Sequence, residues 1–289
     1  MQANSMCMSC MLSKQEQRVR GFSDEKKKSD YMHQVLEILY TRGQMDSAPA
    51  LAEQMNRLYE KHWGKLQDYA PIKHQYNQLL LENEPELEEW ICNSEDNLRE
   101  CIKYVCAANY IDFSAVTDVN EQTFYQLLEK AKAEEISEEE YQHFKKDLGQ
   151  AKTLVYLTDN CGEIVLDKIF IQHIKAVFPE LKITVIVRGE NVINDATMED
   201  AKEVGLTEVV KCIGNGNGAP GTIRERLSEE AGQVLSEADV IISKGQGNFE
   251  SLFGEGLNPY YMFLCKCELF VHRFGLQRFE SVFMKEERI

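Results

Sequence analysis

The stretch Leu154–Phe170, LVYLTDNCGEIVLDKIF, decides the fold. Leu154, Val155, Tyr156, Leu157 and Thr158 make a short apolar, β-branched run, the pattern of a buried strand. After DNCGE the apolar spacing becomes helical, with Ile164, Val165 and Ile169 on one face. A strand, a tight loop and a helix in this order form the repeating unit of a parallel α/β sheet, whose ligands sit at the carboxyl ends of the strands. Asp159, Asn160 and Glu163 are therefore expected to cluster at that edge.

The pattern alternates on the carboxyl side of this unit. Strand-like runs occur at Leu154–Thr158, Ile183–Val187, Glu208–Ile213, Val240–Ser243 and Tyr261–Cys265, each separated by enough chain for one helix. The spacing predicts a three-layer α/β/α unit over residues 149–289 with a mostly parallel sheet. Helix starts are marked by Thr197 with Asp200 and by Thr222 with Glu225, both capping-box spacings. Four polar, glycine-bearing loops, DNCGE, RGENVIND, GNGNGAPG and KGQGN, then fall on one sheet edge.

On the amino side, residues 1–148 read as an all-helical unit. Tyr31–Tyr40, Ala48–Leu66, Ile72–Leu81 and Asn97–Ala108 carry apolar residues at three- and four-residue intervals, with breaks at Gly43, Pro71, Pro85 and Ser94–Asn97. The acidic run Glu134–Glu140, EEISEEE, reads as a solvated helix that ends this half.

Composition narrows the function. The formal charge is −16, with 27 Asp+Glu against 17 Lys+Arg in residues 1–150 and 21 against 15 thereafter, so neither half offers a phosphate backbone a basic face and no nucleic-acid partner is expected. No apolar run reaches the roughly 20 residues of a membrane helix, and the amino terminus lacks the order of a signal peptide. A cytoplasmic protein without a membrane partner is the expectation, and nine Cys at irregular spacing fit a reducing compartment. Oligomeric state is not encoded in any pattern here.

Asp159, Asn160 and Asp195 are oxygen donors without His or Cys companions, a set suited to a hard divalent ion that retains waters. The same residues also suit a helix cap and a turn, and the spacing alone leaves both uses open. Lys244, followed by Gly245, Gln246, Gly247 and Asn248, presents a point charge beside a backbone that a phosphate oxygen can approach, or else a strand-end lysine in solvent. Arg188 ends the second strand and suits a phosphate or carboxylate. GNGNGAPG lacks the Gly-Lys-Ser/Thr ending of a P-loop and does not open the half, which leaves either a flexible loop ahead of a capped helix whose first N–H groups could contact an anion, or a structural turn. Cys7 and Cys10 form a CxxC without a second pair, half a metal site or simple packing. The chain has neither HxxxH nor GxSxG, which disfavours a zinc hydrolase and a serine esterase.

Taken in order, DNCGEIVLDK, RGENVINDATMEDAKEVGL and ISKGQGNFESL resemble the DUF89, or ARMT1-like, family of metal-dependent damage-control phosphatases. NLRECIKYVCAANYIDF (Asn97–Phe113) resembles the motif of its helical domain, with Ala108-Asn109 where the family has Gly-Asn, and the CxxC resembles its prokaryotic branch. The resemblance implies a helical domain that caps an α/β/α domain, and a divalent ion (Mg²⁺, Mn²⁺, Co²⁺ or Ni²⁺) on residues matching Asp159, Asn160 and Asp195. It implies hydrolysis of phosphate monoesters of small metabolites such as sugar phosphates, with Lys244 near the substrate phosphate. Glu163, Asn194, Asn248 and Asn109, and also Asp112, match further motif positions. Asp159 would either attack phosphorus or hold a metal-bound water. Two other classes remain open, an S-adenosylmethionine-dependent carboxyl methyltransferase and a non-catalytic phosphometabolite-binding protein.

Overall fold

The computed structural model describes residues 1–112 and 121–289. The amino-terminal helices are α1 (Ser5–Val19), α2 (Glu25–Arg42), α3 (Ala48–Trp63), α4 (Ala70–Cys92), α5 (Asn97–Ala108), α6 (Glu121–Lys132) and α7 (Glu138–Gln150). The alternating part follows as β1 (Thr153–Leu157), α8 (Glu163–Val177), β2 (Lys182–Val187), α9 (Met198–Glu203), α10 (Leu206–Val209) and β3 (Lys211–Gly214). It continues with α11 (Glu229–Ser236), β4 (Val240–Lys244), α12 (Gln246–Leu252), β5 (Tyr260–Leu264), α13 (Glu268–Phe274) and β6 (Ser281–Lys285).

The six strands lie in the order β3-β2-β1-β4-β5-β6, all parallel except β6, which pairs antiparallel with β5. The expected α/β fold with a mostly parallel sheet is thus present. Alternate residues of each strand face opposite layers. Leu154, Tyr156, Val185, Val187, Ile242 and Met262 share a core with α4, α5, α7 and α8, while Val155, Leu157, Ile186 and Ile241 pack on residues of α11 and α12. Helices α1, α2 and α3 gather a separate core around Tyr31, Val35, Leu51 and Met55. The chain leaves β1 toward β2 on one side and finds β4 on the other, so the strand order reverses between β1 and β4. At such a switch point the two outgoing loops diverge and leave a crevice at the carboxyl edge.

Several sequence expectations change in the structure. Helix α4 runs through Pro85 instead of stopping there. A proline inside a helix removes one hydrogen bond and costs about 3 kcal/mol; burial of Tyr76 and Leu80 before it and Leu87 and Ile91 after it offsets that loss. The expected strand Glu208–Ile213 is split: Gly205, at φ 74°, restarts the chain as the short α10, and only Lys211–Gly214 joins the sheet. Thr222 does not cap a helix, because its hydroxyl donates to Asn248 Oδ1 at 2.8 Å; the next helix is capped by Ser228. The Thr197–Asp200 capping box forms as expected. EEISEEE is not one helix: Ser137 caps α7, and Glu140 is buried and holds Arg288 with two hydrogen bonds at 2.6 Å. Strand β6 has no counterpart in the sequence expectation. Phe113, the last residue of the helical-domain motif, lies outside the described residues.

Candidate active site

The backbone at the end of β1 is arranged by its neighbour. Ala196 N–H donates to Asp159 O at 2.7 Å and Cys161 N–H donates to Asn194 O at 2.8 Å, so the loop after β2 runs beside the loop after β1 and Asn160 pairs with Asp195 as an isolated bridge. That loop carries Ile193 at φ 45°, a conformation costly for a β-branched residue and frequent at functional sites. Gly162, at φ 69°, turns the chain into α8, and its N–H is taken by Asn77 Oδ1 of α4 at 2.7 Å.

Asp159 Oδ2 accepts from Asn109 at 2.9 Å and from Asn160 at 2.7 Å. The same two amides reach Glu163 Oε2 at 3.0 and 2.9 Å. Arg188 Nε donates to Asp195 Oδ2 at 2.6 Å and Nη1 to Asn248 Oδ1 at 3.0 Å. Its Nη2 lies 3.5 Å from Asp159 Oδ1, buried and without a hydrogen-bond partner. Asn248 Nδ2 donates to the carbonyls of Thr158 and Lys244, tying β1 to β4 across the switch point.

Lys244 is fully buried, and its ammonium contacts Glu163 at 2.5 Å and Asp167 at 2.7 Å; Asp167 also accepts from Tyr156 at 2.6 Å. The strand-end lysine is therefore neither in solvent nor open toward a ligand; it neutralises two acids. Lys266, at the end of β5, bonds Asp112 and the Asn109 carbonyl, each at 2.6 Å. Asn194 donates to Ile111 O at 2.9 Å and so fixes its own loop to the end of α5. Asp159, Asn160, Asp195, Glu163, Lys244, Arg188, Asn248 and Asn109 thus form one buried network, whereas Asn194 supports it from behind.

Sequence reasoning missed Lys266 and Asp167. Lys266 had the same signal as Lys244, a lysine just past a central strand, but it stands in LCKCE without a glycine. Asp167 lies one helical turn beyond Glu163, on a helix whose burial on every side only the fold reveals.

The electrostatics are unbalanced. Five buried carboxylates, Asp112, Asp159, Glu163, Asp167 and Asp195, face three buried cations, Arg188, Lys244 and Lys266, among the described residues. Adding the adjoining Lys73–Asp200 ion pair leaves the difference at two negative charges. Burial first, then the charges of Asp195 and Glu163, pushes Asp159 well above the usual carboxylate range. Burial likewise raises Asp195 against the pull of Arg188, and raises Asp167 to about 6 against the pull of Lys244. Burial alone would lower Lys244, yet Asp167 and Glu163 hold it above its ordinary value. A group with two positive charges would fit this donor set: oxygen atoms of Asp159, Asn160 and Asp195 with Arg188 beside them.

A cavity of about 1480 Å³ opens at this edge. Asp159 and Asp195 do not line it directly; its inner wall is Asp112, Lys266, Gln246, Gly247 and Ile193, and α1 and α3 supply part of the outer wall. Cys7 and Cys10 lie in the first turns of α1 and line the cavity together with Cys267; burial lifts the Cys7 thiol to about 11. GNGNGAPG is the structural turn of its two readings and not the flexible loop: Asn215 Oδ1 accepts from Gly189 and Asn217 N–H, and Asn217 Oδ1 from Ala219 N–H.

Gly245 is required by close approach. Its φ is 79°, and a Cβ there would meet Asp159 Oδ2 at 2.0 Å. Gly245→Ala is expected to displace the Asp159 carboxylate and to cost about 1–3 kcal/mol in strain, with loss of activity out of proportion to the fall in melting temperature. A variant with wild-type turnover would show that Asp159 can move without consequence.

Fold and site together define an α/β protein with a cation-deficient carboxylate centre at its topological switch point. The model of the damage-control phosphatase ARMT1-like domain matches residues 3–282, and the chain belongs to that family. It is 29% identical over 275 residues to a damage-control phosphatase of Archaeoglobus fulgidus, covering 93% of each chain. It is 34% identical over 154 residues to one of Pyrococcus horikoshii, covering 52% of each. The crystal structure of a DUF89 family protein from Pyrococcus horikoshii superposes with a TM-score of 0.82 at 23% identity, covering 99% of both chains, and so shares the fold.

Proposed function

We propose that this chain is a metal-dependent phosphatase acting on phosphate monoesters of small metabolites, sugar phosphates or damaged phosphometabolites. The observation that carries the reading is a buried cluster in which acids outnumber cations by two, beside a wide cavity. Asp159, Asn160 and Asp195 would hold a divalent ion of the Mg²⁺, Mn²⁺, Co²⁺ or Ni²⁺ type, which supplies electrophilic stabilisation of the charge that develops on phosphoryl oxygens. Arg188, whose Nη2 makes no hydrogen bond in the buried network, would take a phosphoryl oxygen. Asn109 and Asn160 orient the Asp159 carboxylate through Oδ2, which leaves Oδ1 for the ion or for phosphorus. Lys244 acts indirectly by fixing Glu163, and Asn248 by fixing Arg188. The cavity's size admits substrates well beyond inorganic phosphate, and the helical segment 1–148 contributes its outer wall through α1 and α3.

The test is phosphate release from a panel of phosphorylated metabolites with each of the four ions and with chelator. Metal-restored turnover of at least one sugar phosphate is expected, and Asp195→Asn should abolish it. Absence of release across the panel, with stabilisation by a phosphometabolite or by S-adenosylmethionine instead, would replace this reading with a binding protein or a methyltransferase.

A further inference from the structure

A second cluster of metal-binding side chains lies away from the carboxylate centre. Glu88 and Cys92 stand one turn apart on α4, and His173 faces them from α8. His173 Nε2 is 3.2 Å from Glu88 Oε2, Cys92 Sγ is 3.9 Å from the same oxygen, and one ligand atom of each residue lies within 4.8 Å of the other two. A tetrahedral ion with bonds of about 2.0–2.3 Å brings its donors to such separations with only rotamer adjustment.

The helix geometry makes the cluster a clamp. Contacts run in step along the pair: Asn77 with Gly162, Glu84 with Lys168, Glu88 with His173. The helices therefore lie parallel, with the active-site loop at their amino ends and the cluster at their carboxyl ends. Cys92 is the last residue of α4, where the unpaired carbonyls of a helix end favour a cation. The donors also differ in kind from those of the carboxylate centre. Thiolate and imidazole select a borderline-soft ion, whereas an all-oxygen set selects a hard one.

We propose that Glu88, Cys92 and His173 form a second metal site, for a borderline-soft divalent ion of the Zn²⁺ or Co²⁺ type, with water as fourth ligand, that staples α4 to α8. Binding releases the Cys92 thiol proton to solvent, and no redox change is involved. The site does not rest on the phosphatase reading, since it would staple the helices whatever the chemistry at the other end.

The experiment is a Co²⁺ titration of the full-length chain, followed by the thiolate-to-cobalt charge-transfer band. Nine cysteines are present and the carboxylate centre is itself proposed to take Co²⁺, so the titration is made in Cys7→Ser/Cys10→Ser/Asp195→Asn, which removes the CxxC and the competing oxygen site. A band with a one-to-one end point is expected in that protein. It should vanish on adding Cys92→Ser and bind Co²⁺ roughly tenfold or more weakly on adding His173→Ala. Zn²⁺ should raise the melting temperature of Asp195→Asn by about 2 °C or more, and that rise should be lost with Cys92→Ser. Cys92 is exposed, so its serine variant keeps the fold. A band at full strength without Cys92, or no band and no thermal shift with all three ligands present, overturns the site.

Discussion

Lys244→Met is expected to destabilise the protein by about 3–5 kcal/mol, the usual cost of removing one partner from a buried ion pair. The methionine fills nearly the same volume, so packing is preserved and the effect isolates the charge. In its absence Glu163 and Asp167 remain, both with no solvent exposure and both having lost their closest cation. Tyr156 still donates to Asp167 at 2.6 Å, and Asn109 and Asn160 still donate to Glu163, but neutral donors do not replace an ammonium. Thermal denaturation should show a drop on the order of 10 °C for a chain of this size. The double variant Lys244→Met/Asp167→Asn should recover part of it by removing one of the stranded charges. Lys211→Met provides the contrast: its pair with Glu230 leaves both side chains 57% exposed, so a change within about 0.5 kcal/mol is expected. A loss below about 1 kcal/mol for Lys244→Met would show that the two acids take up protons or water at little cost, and that the lysine does not organise the site.

This dependence on burial explains what the sequence made legible and what it did not. The strand-loop-helix at Leu154–Phe170 could be read because its two periodicities meet at DNCGE, and the sheet followed from the recurrence of that pattern. Asp159, Asn160 and Asp195 could be placed on one edge because parallel strands put successive loops there; the bridge between Asn160 and Asp195 shows how close that placement is. What a residue does on the edge is another matter. Lys244 looked like a phosphate contact since it precedes Gly245, but the glycine serves to admit the Asp159 carboxylate, and the lysine turns inward to Glu163 and Asp167. Spacing cannot reveal direction when partners from far along the chain, here on α8, decide it. Pro85 and EEISEEE mislead for a related reason: local propensity is a preference of fractions of a kcal/mol to a few, and the core contacts of Leu87 and the Glu140–Arg288 pair override it. GNGNGAPG could be read as flexible loop or turn because its glycines are visible in sequence, whereas the hydrogen bonds that Asn215 and Asn217 side chains accept from Asn217 and Ala219 N–H are not.

Asp159→Asn separates the site's function from its stability. Activity in the phosphate-release assay should fall by about a thousandfold or more if the carboxylate holds the ion or attacks phosphorus, comparable to removing a principal electrostatic group from an enzyme centre. The rise in melting temperature that Mg²⁺ or Mn²⁺ gives should disappear with it, because loss of one of two carboxylate donors removes most of the attraction for a hard ion. Metal-free stability, in contrast, should not fall. Asp159 is a buried carboxylate that Asp195 and Glu163 repel; Lys266 attracts it without contact, and Arg188, the cation paired with it, is bound more closely by Asp195, at 2.6 Å against 3.5 Å. An asparagine oxygen can still accept from Asn109 and Asn160 in place of Oδ2, while the repulsion is gone. The expected combination is an inactive protein whose melting temperature in chelator equals or exceeds that of the wild type. That is the behaviour of a centre in which charge is kept for chemistry at the expense of stability. A fall of several degrees in chelator would show instead that Asp159 is a structural cap of the β1–α8 turn, and a retained shift with Mg²⁺ or Mn²⁺ would place the hard ion elsewhere. Either result would break the link between the charge imbalance and catalysis.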